Sequence, residues 1–276
     1  MPHAAETKNM ALFCDFENIA LGVRDAHYAQ FDVKKVTERL LLKGNIVVKK
    51  AYCDWSRYKE FRPTMHEAAF ELIEIPHLRQ SGKNSADIRM VVDALDLCYT
   101  KGHVDTFVII SGDSDFSPLV SKLRENNRTV IGVGVKESTS DLLIANCDEF
   151  IYYDDLVRPE PPRGKPRPSA AAGKPGRGQA ARPPHPAPPP GDKKQEAWTL
   201  IVETYEGLVK ERGEGEKIWG SMVKQALKRR KPGFNESYYG FRSFGEMLQE
   251  GQAHGILELE PDEKSGGFLI KSCRAP

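Results

Sequence analysis

The chain has 276 residues, of which 39% are hydrophobic and 29% charged, with a net charge of +1. That length holds one ordinary domain and a small second one, and no apolar run approaches the ~20 residues of a membrane span. The first residues lack the basic-then-apolar profile of a signal peptide, and five cysteines without a Cys-x-x-Cys pair suggest neither a disulfide framework nor a thiolate zinc site, so the expectation is a reduced, cytoplasmic protein.

Taken in chain order, Met10 to Cys14 is a short apolar strand that ends in Asp15, Phe16, Glu17 and Asn18. Asp32 can cap a helix through about Lys43, with Val33, Val36, Leu40 and Leu41 on its inner face. Ile46 to Cys53 reads as a second strand and Asp54 to Lys59 as a loop. A helix from about Pro63 to Phe70 and a strand from Leu72 to His77 follow. Ser85 opens a patterned helix to Tyr99, with Ile88, Val91, Val92, Leu95 and Cys98 facing inward. Phe107 to Ile110 is a run of β-formers that empties into a tight turn at Ser111 and Gly112. Ser117 and Pro118 then read as N-cap and first helical position. Thr129 to Val135 is another strand, Thr139 to Asn146 a helix and Glu149 to Tyr152 an edge strand. Such alternation argues for an α/β fold with a central parallel sheet and helices on both faces.

From Arg158 to Pro190 the chain is dominated by Pro, Gly, Ala and Arg, a composition that builds no core and reads as a disordered linker. Structure resumes at Lys193. A helical stripe through Ala197, Leu200, Ile201, Thr204 and Leu208 comes first, then helices over Ile218–Leu227 and Phe241–Leu248. Ile256–Glu260 and Phe268–Lys271 form a hairpin around Ser265, Gly266 and Gly267. Three helices and a hairpin make a winged-helix pattern of mixed α and β structure. The expected division is 1–157, a linker over 158–192, and 193–276. Residues 1–157 carry 19 basic against 24 acidic side chains, whereas 158–192 carry 7 against 2. An acidic body with a basic tether suits a metal-dependent site whose polyanionic substrate is gathered elsewhere on the molecule.

The candidates for chemistry are Asp15, Asn18, Asp87, Asp93, Asp113 and Asp115. Asp113 and Asp115 repel one another with no Lys or Arg in their turn, which a hard divalent cation would relieve; the alternative is that one caps the next helix and the other is solvated. Asp87 opens its helix, where it also compensates the dipole. Asp93 lies about 240° further round and shares no face with it, so Asp87 is preferred. No P-loop pattern is present, the seven histidines show no ligand spacing, and Ser111 and Ser114 have no paired histidine in the motif. For substrate contact, Trp55, Arg57, Tyr58, Lys59 and Arg62 combine stacking with phosphate-binding groups, with Arg79 and Lys83 adding charge. An amphipathic loop shielding its aromatics is the other reading. In the C-terminal part Lys224, Lys228, Arg229, Arg230 and Lys231 are the RNA candidates, or a solvated basic helix end.

Asp15-x-x-Asn18, Lys83-x-x-x-Asp87, the run Ser111 to Phe116 and Cys147 to Ile151 together resemble the NYN branch of the PIN-like nucleases, in particular LabA-like bacterial proteins, over roughly residues 10–155. The resemblance implies a Rossmann-like PIN fold, a carboxylate cluster for Mg²⁺ or Mn²⁺, and endoribonuclease activity. Carried over by position, Asp15, Asp87, Asp113 and Asp115 would be the metal-site acids and Asn18 their polar neighbour. The stretch Tyr239 to Leu248 resembles an OST-HTH (LOTUS) domain over about 195–272, which implies a module that binds RNA or a protein partner. Single-stranded or structured RNA is thus the expected partner and no membrane is expected; a homodimer and a non-cleaving RNA-binding or regulatory adaptor stay open.

Overall fold

The computed structural model describes residues 8–75, 84–158, 190–213, 216–262 and 266–274. The first body alternates as the sequence suggests. It runs β1 (Lys8–Asp15), α1 (Phe16–Asp25), α2 (Val33–Leu41), β2 (Gly44–Cys53), α3 (Arg62–Glu67) and β3 (Glu71–Glu74). It continues with α4 (Ser85–Thr100), β4 (Thr106–Ile110), α5 (Ser117–Glu125), β5 (Thr129–Gly134), α6 (Asp141–Asn146), β6 (Glu149–Tyr152) and α7 (Tyr153–Val157). The strands lie in the order β3-β2-β1-β4-β5-β6, and each neighbouring pair is parallel. The chain builds outward from β1 on one side and from β4 on the other. The β1/β4 boundary is therefore a topological switch point, where the loops at the strand C-termini part and leave a crevice.

Side-chain alternation divides β1 between two cores. Met10, Leu12 and Cys14 join Phe16, Val36, Leu40 and Trp55 on one face of the sheet. Ala11 and Phe13 join Met90, Ala94, Leu119 and Leu123 on the other. Both faces are covered, so β1 and β4 read as unbroken apolar runs.

Several local expectations differ from the structure. The turn expected at 15–18 is a helix start: Asp15 caps α1 through its carboxylate, which accepts from the Asn18 N–H at 3.3 Å. On α4 the inner face is Met90, Ala94, Leu97 and Cys98, with Val91 and Leu95 partly buried beside them, while Ile88 and Val92 are exposed. An all-apolar stripe had pointed the helix about one residue out of phase. Leu41 likewise faces outward, since α2 buries Val33, Val36, Thr37 and Leu40. Ser117 lies inside α5 rather than at its cap, and its buried hydroxyl has no hydrogen-bond partner among the described residues. The cap moves upstream because Asp113 seats a 3₁₀ turn over Ser114–Phe116 by accepting from the Asp115 N–H at 2.9 Å.

The second body consists of α8 (Pro190–Arg212), β7 (Ile218–Trp219), α9 (Gly220–Arg230), α10 (Phe244–Ala253), β8 (Leu257–Pro261) and β9 (Phe268–Cys273). Its sheet, β7-β9-β8, is antiparallel, and Trp198, Val223, Leu227, Phe241, Met247 and Ile270 are among its core residues. Ile218, expected to start a helix, is the first residue of β7. Phe241 precedes its helix because Ser243 is the N-cap, accepting from the Glu246 N–H at 3.1 Å. The linker expected over 158–192 lies almost wholly outside the described residues.

The two bodies are in contact. The Phe150 N–H of β6 donates to the Pro232 carbonyl at 2.9 Å, and Asn235 donates to Asp155 at 2.6 Å. Glu149 is held between Lys43 at 2.9 Å and Lys228 at 3.4 Å, with both lysines stabilising its charged form against the cost of burial. No helix among the described residues is long and apolar enough to cross a membrane.

Candidate active site

Parallel pairing of Cys14 with Ile110 brings Asp15 and Ser111 side by side where β1 and β4 end. The Ser111 hydroxyl donates to Asp15 Oδ2 at 3.1 Å and accepts from the Asp113 N–H at 3.2 Å. Asn18, one turn into α1, accepts from the Gly112 N–H at 2.8 Å. The two loops are thus cross-linked through side chains, and both carboxylates are held by backbone donors. Gly112 is needed here for closeness: a Cβ would stand 2.5 Å from the Ser138 carbonyl oxygen. The residue packs against the loop after β5, whose Ser140 N–H donates back to the Gly112 carbonyl at 2.9 Å.

Asp87, half-buried in the first turn of α4, completes the group from a third element. Burial, then the negative charge of Asp87, push the Asp15 carboxyl up to about 7; the hydrogen bonds from Asn18 and Ser111 oppose this and Asp113 adds to it. Asp87 is also raised, first by burial and then by Asp113, Asp115 and Glu17. Asp115 is exposed and accepts from Asn84 Nδ2 at 3.5 Å. Glu17 is an acid of this cluster that residue spacing did not single out; it lies next to the cap residue Asp15, and Arg57 pairs with it at 2.9 Å. Asp93 stands apart, taken up by Tyr52 at 2.9 Å, Arg89 at 3.0 Å and Lys50 at 3.4 Å.

These residues fit a hard divalent cation by donor chemistry. All are oxygen ligands, and the charges of their neighbours raise the proton affinity of Asp15 and Asp87, the condition a cation relieves. Among the described residues, however, no three acidic, histidine or cysteine side chains stand close enough to hold an ion as they are.

The expected substrate-contact residues fare unevenly. Trp55 is 1% exposed, packs on Phe16 with ring centroids 4.9 Å apart, and donates its indole N–H to the Ile73 carbonyl at 3.1 Å. It is a core residue and has no free face for a base. Tyr58 is half-buried and also packs on Phe16, while Arg57, bound to Glu17, sits beside the acid cluster. Lys83 and Arg79 lie outside the described residues. In the second body Lys224 pairs with Glu236 at 2.7 Å and Lys228 with Glu149. Arg229, Arg230 and Lys231 are exposed.

The family model described as "NYN domain" matches residues 9–154. The chain is 26% identical over 154 residues to Meiosis regulator and mRNA stability factor 1 of Xenopus tropicalis, covering 56% of this chain and 9% of that protein. It is 27% identical over 120 residues to an uncharacterised protein of Methanocaldococcus jannaschii, covering 44% of this chain and 47% of that one. The chain thus spans less than half the length of these curated relatives. A solved protein of unknown function from Vibrio parahaemolyticus is similar over 55% of this chain and 97% of its own, with 26% identity and a TM-score of 0.49.

Proposed function

This chain belongs to the NYN domain family, and on that premise we propose that it is a divalent-metal-dependent endoribonuclease whose C-terminal body is an RNA-binding winged-helix module of the OST-HTH type. The observation that carries the reading is that Asp15 and Asp113 follow the paired ends of β1 and β4 at the switch point of a parallel sheet, with Asp87 of α4 near enough to raise the proton affinity of Asp15. RNA is favoured over DNA because two relatives bear names that refer to mRNA stability. The corresponding domain boundaries are 1–157 and 193–276.

Asp15, Asp87 and Asp113 would hold Mg²⁺ or Mn²⁺, with Asp115 and Glu17 as further donors. Bound there, the cation supplies Lewis-acid polarisation of the scissile phosphate and activation of water. The chain's own contribution is positional. The Ser111 hydroxyl and the Asn18 N–H fix both oxygens of Asp15, and Asn18 locks the Gly112 turn that carries Asp113. Arg57 beside Glu17 offers a cation to the RNA backbone at the margin of the acids.

One feature favours a second reading, a non-cleaving RNA-binding adaptor: the acids do not converge as they stand. Cleavage of labelled single-stranded and structured RNA with Mn²⁺ or Mg²⁺, beside Asp113→Asn, separates the two. Asn preserves the cap at that position while removing its charge. The nuclease reading expects product that disappears with chelator and in the variant. Tight RNA binding that persists in chelator, with no product from either protein, would establish the adaptor.

A further inference from the structure

A cavity of about 440 Å³ lies where the two bodies meet. One wall is the end of β6 and the loop after β5, through Lys136, Asp141 and Tyr152; the other is the stretch from Arg230 to Tyr239. The wall is built to fit. A Cβ on Gly233 would stand 2.7 Å from the Tyr152 hydroxyl, so any larger residue would push the Tyr152 side chain aside. Lys136 Nζ lies 3.5 Å over the Tyr238 ring, across the junction.

The lining is chemically mixed in a specific way. Lys136, Arg230 and Lys231 are exposed cations, and neither Lys136 nor Lys231 has a carboxylate partner within ion-pair distance among the described residues. Tyr152 and Tyr238 supply half-buried aromatic surface, and Asp141 and Glu196 supply acceptors. A diffuse polyanion would meet two repelling carboxylates here, and an apolar ligand would strand Lys136 and Lys231, whereas Arg230 keeps Glu203 at 4.0 Å. A single nucleotide satisfies all three classes: phosphate for Lys136 and Lys231, which Lys136 reaches from its seat over the Tyr238 ring, base face for Tyr152, and base N–H donors for the acids. The volume is also within the usual range of small-ligand sites.

The place in the fold gives this cavity a path to the acid cluster. Both open on the C-terminal edge of the sheet, β6 lying two strands, roughly 10 Å, beyond β4. The loop Val135–Ser140 borders the cavity through Lys136 and is bonded to the Gly112 turn through Ser140.

We propose that this junction is a nucleotide-binding subsite for single-stranded RNA that runs from the acid cluster across the 135–140 loop. The inference rests on the RNA reading above and adds that recognition requires the two bodies docked together.

The test uses the full chain carrying Asp113→Asn, so that RNA stays intact. A short fluorescein-labelled single-stranded RNA is titrated by anisotropy, and Lys231→Glu and Tyr238→Ala are each added. Either change should weaken binding about tenfold, and Lys231→Glu should also flatten the salt dependence. In parallel, 4-thiouridine RNA is photo-crosslinked to the chain without changes at the junction. Adducts should map to the peptides holding Tyr152 or Tyr238, a readout that survives if a variant misfolds. RNA that binds the parent while both variants bind equally well, with adducts confined to other surfaces, overturns the subsite alone. A parent that binds no RNA overturns the RNA reading with it.

Discussion

The Ser111 hydroxyl reaches Asp15 at 3.1 Å across 96 positions of sequence, tying the end of β4 to the end of β1. That bond makes the candidate site a property of strand pairing rather than of either loop. It also sets apart the acids that the sheet brings together from those that merely occur nearby in sequence.

Asp87 and Asp93 share a helix and should behave oppositely. Asp87→Asn is expected to lower cleavage by about a hundredfold or more through kcat, with little change in RNA affinity. Asp93→Asn should leave kcat near that of the parent but reduce stability by about 1–3 kcal/mol, because Lys50 and Arg89 lose their counter-charge and Tyr52 its charged acceptor. Steady-state kinetics beside urea denaturation checks both. A kcat loss confined to Asp93→Asn would reverse the assignment.

The buried Asp15 carboxyl binds a proton more tightly in the folded chain than in the unfolded one. Stability in EDTA should therefore fall as pH rises from the ordinary carboxylate range to about 7, then level off. Asp15→Asn removes that penalty while keeping the α1 cap, so at about pH 8 it should be more stable than the parent by on the order of 2–4 kcal/mol, an advantage that vanishes near pH 4. Urea midpoints at the two pH values measure the difference. A variant less stable than the parent at the higher pH would refute the account.

Trp55→Ala should cost about 3–5 kcal/mol, as deletion of a buried aromatic does. Among molecules that remain folded, RNA affinity should be unchanged. Anisotropy titration after removal of unfolded protein separates the two effects; a selective affinity loss would return Trp55 to the binding surface.

Glu149 bridges Lys43 in the first body and Lys228 in the second. Glu149→Ala leaves two partly buried lysines facing one another and should reduce stability by about 1–3 kcal/mol. Calorimetry should show one transition in the parent and two in the variant, as the bodies uncouple. An unchanged single transition would mean the bridge contributes nothing to docking.

The strands and the acids were legible because each rests on a strong local signal. Phe107 to Ile110 is buried on both faces and so forms an uninterrupted apolar run ending at the Ser111–Gly112 turn that carries Asp113. Helix α1 was not legible, because Asp15 and Asn18 look like turn chemistry until one sees that their turn is a cap. The phase of α4 failed for a different reason. Ile88 and Val92 are as apolar as the residues that do face inward, so composition could not choose between adjacent faces. Trp55 misled because an aromatic among Arg57, Tyr58 and Lys59 has the makeup of an RNA-binding loop; its burial depends on Phe16, 39 positions away. Glu17 escaped notice because its relevance depends on Asp87, which only the folded sheet brings near.

The bond from the Phe150 N–H to the Pro232 carbonyl has a practical corollary for anyone dissecting this protein. A parallel sheet ends in a row of backbone groups that invite another strand, and here the second body takes up the one at Phe150. A fragment stopping at Val157 would free the Phe150 N–H on the edge of β6, and self-association at high concentration is the expected behaviour. Losing activity on such truncation would then report a sticky margin rather than a missing RNA contact. Light scattering of the fragment beside its RNA affinity would tell the two apart.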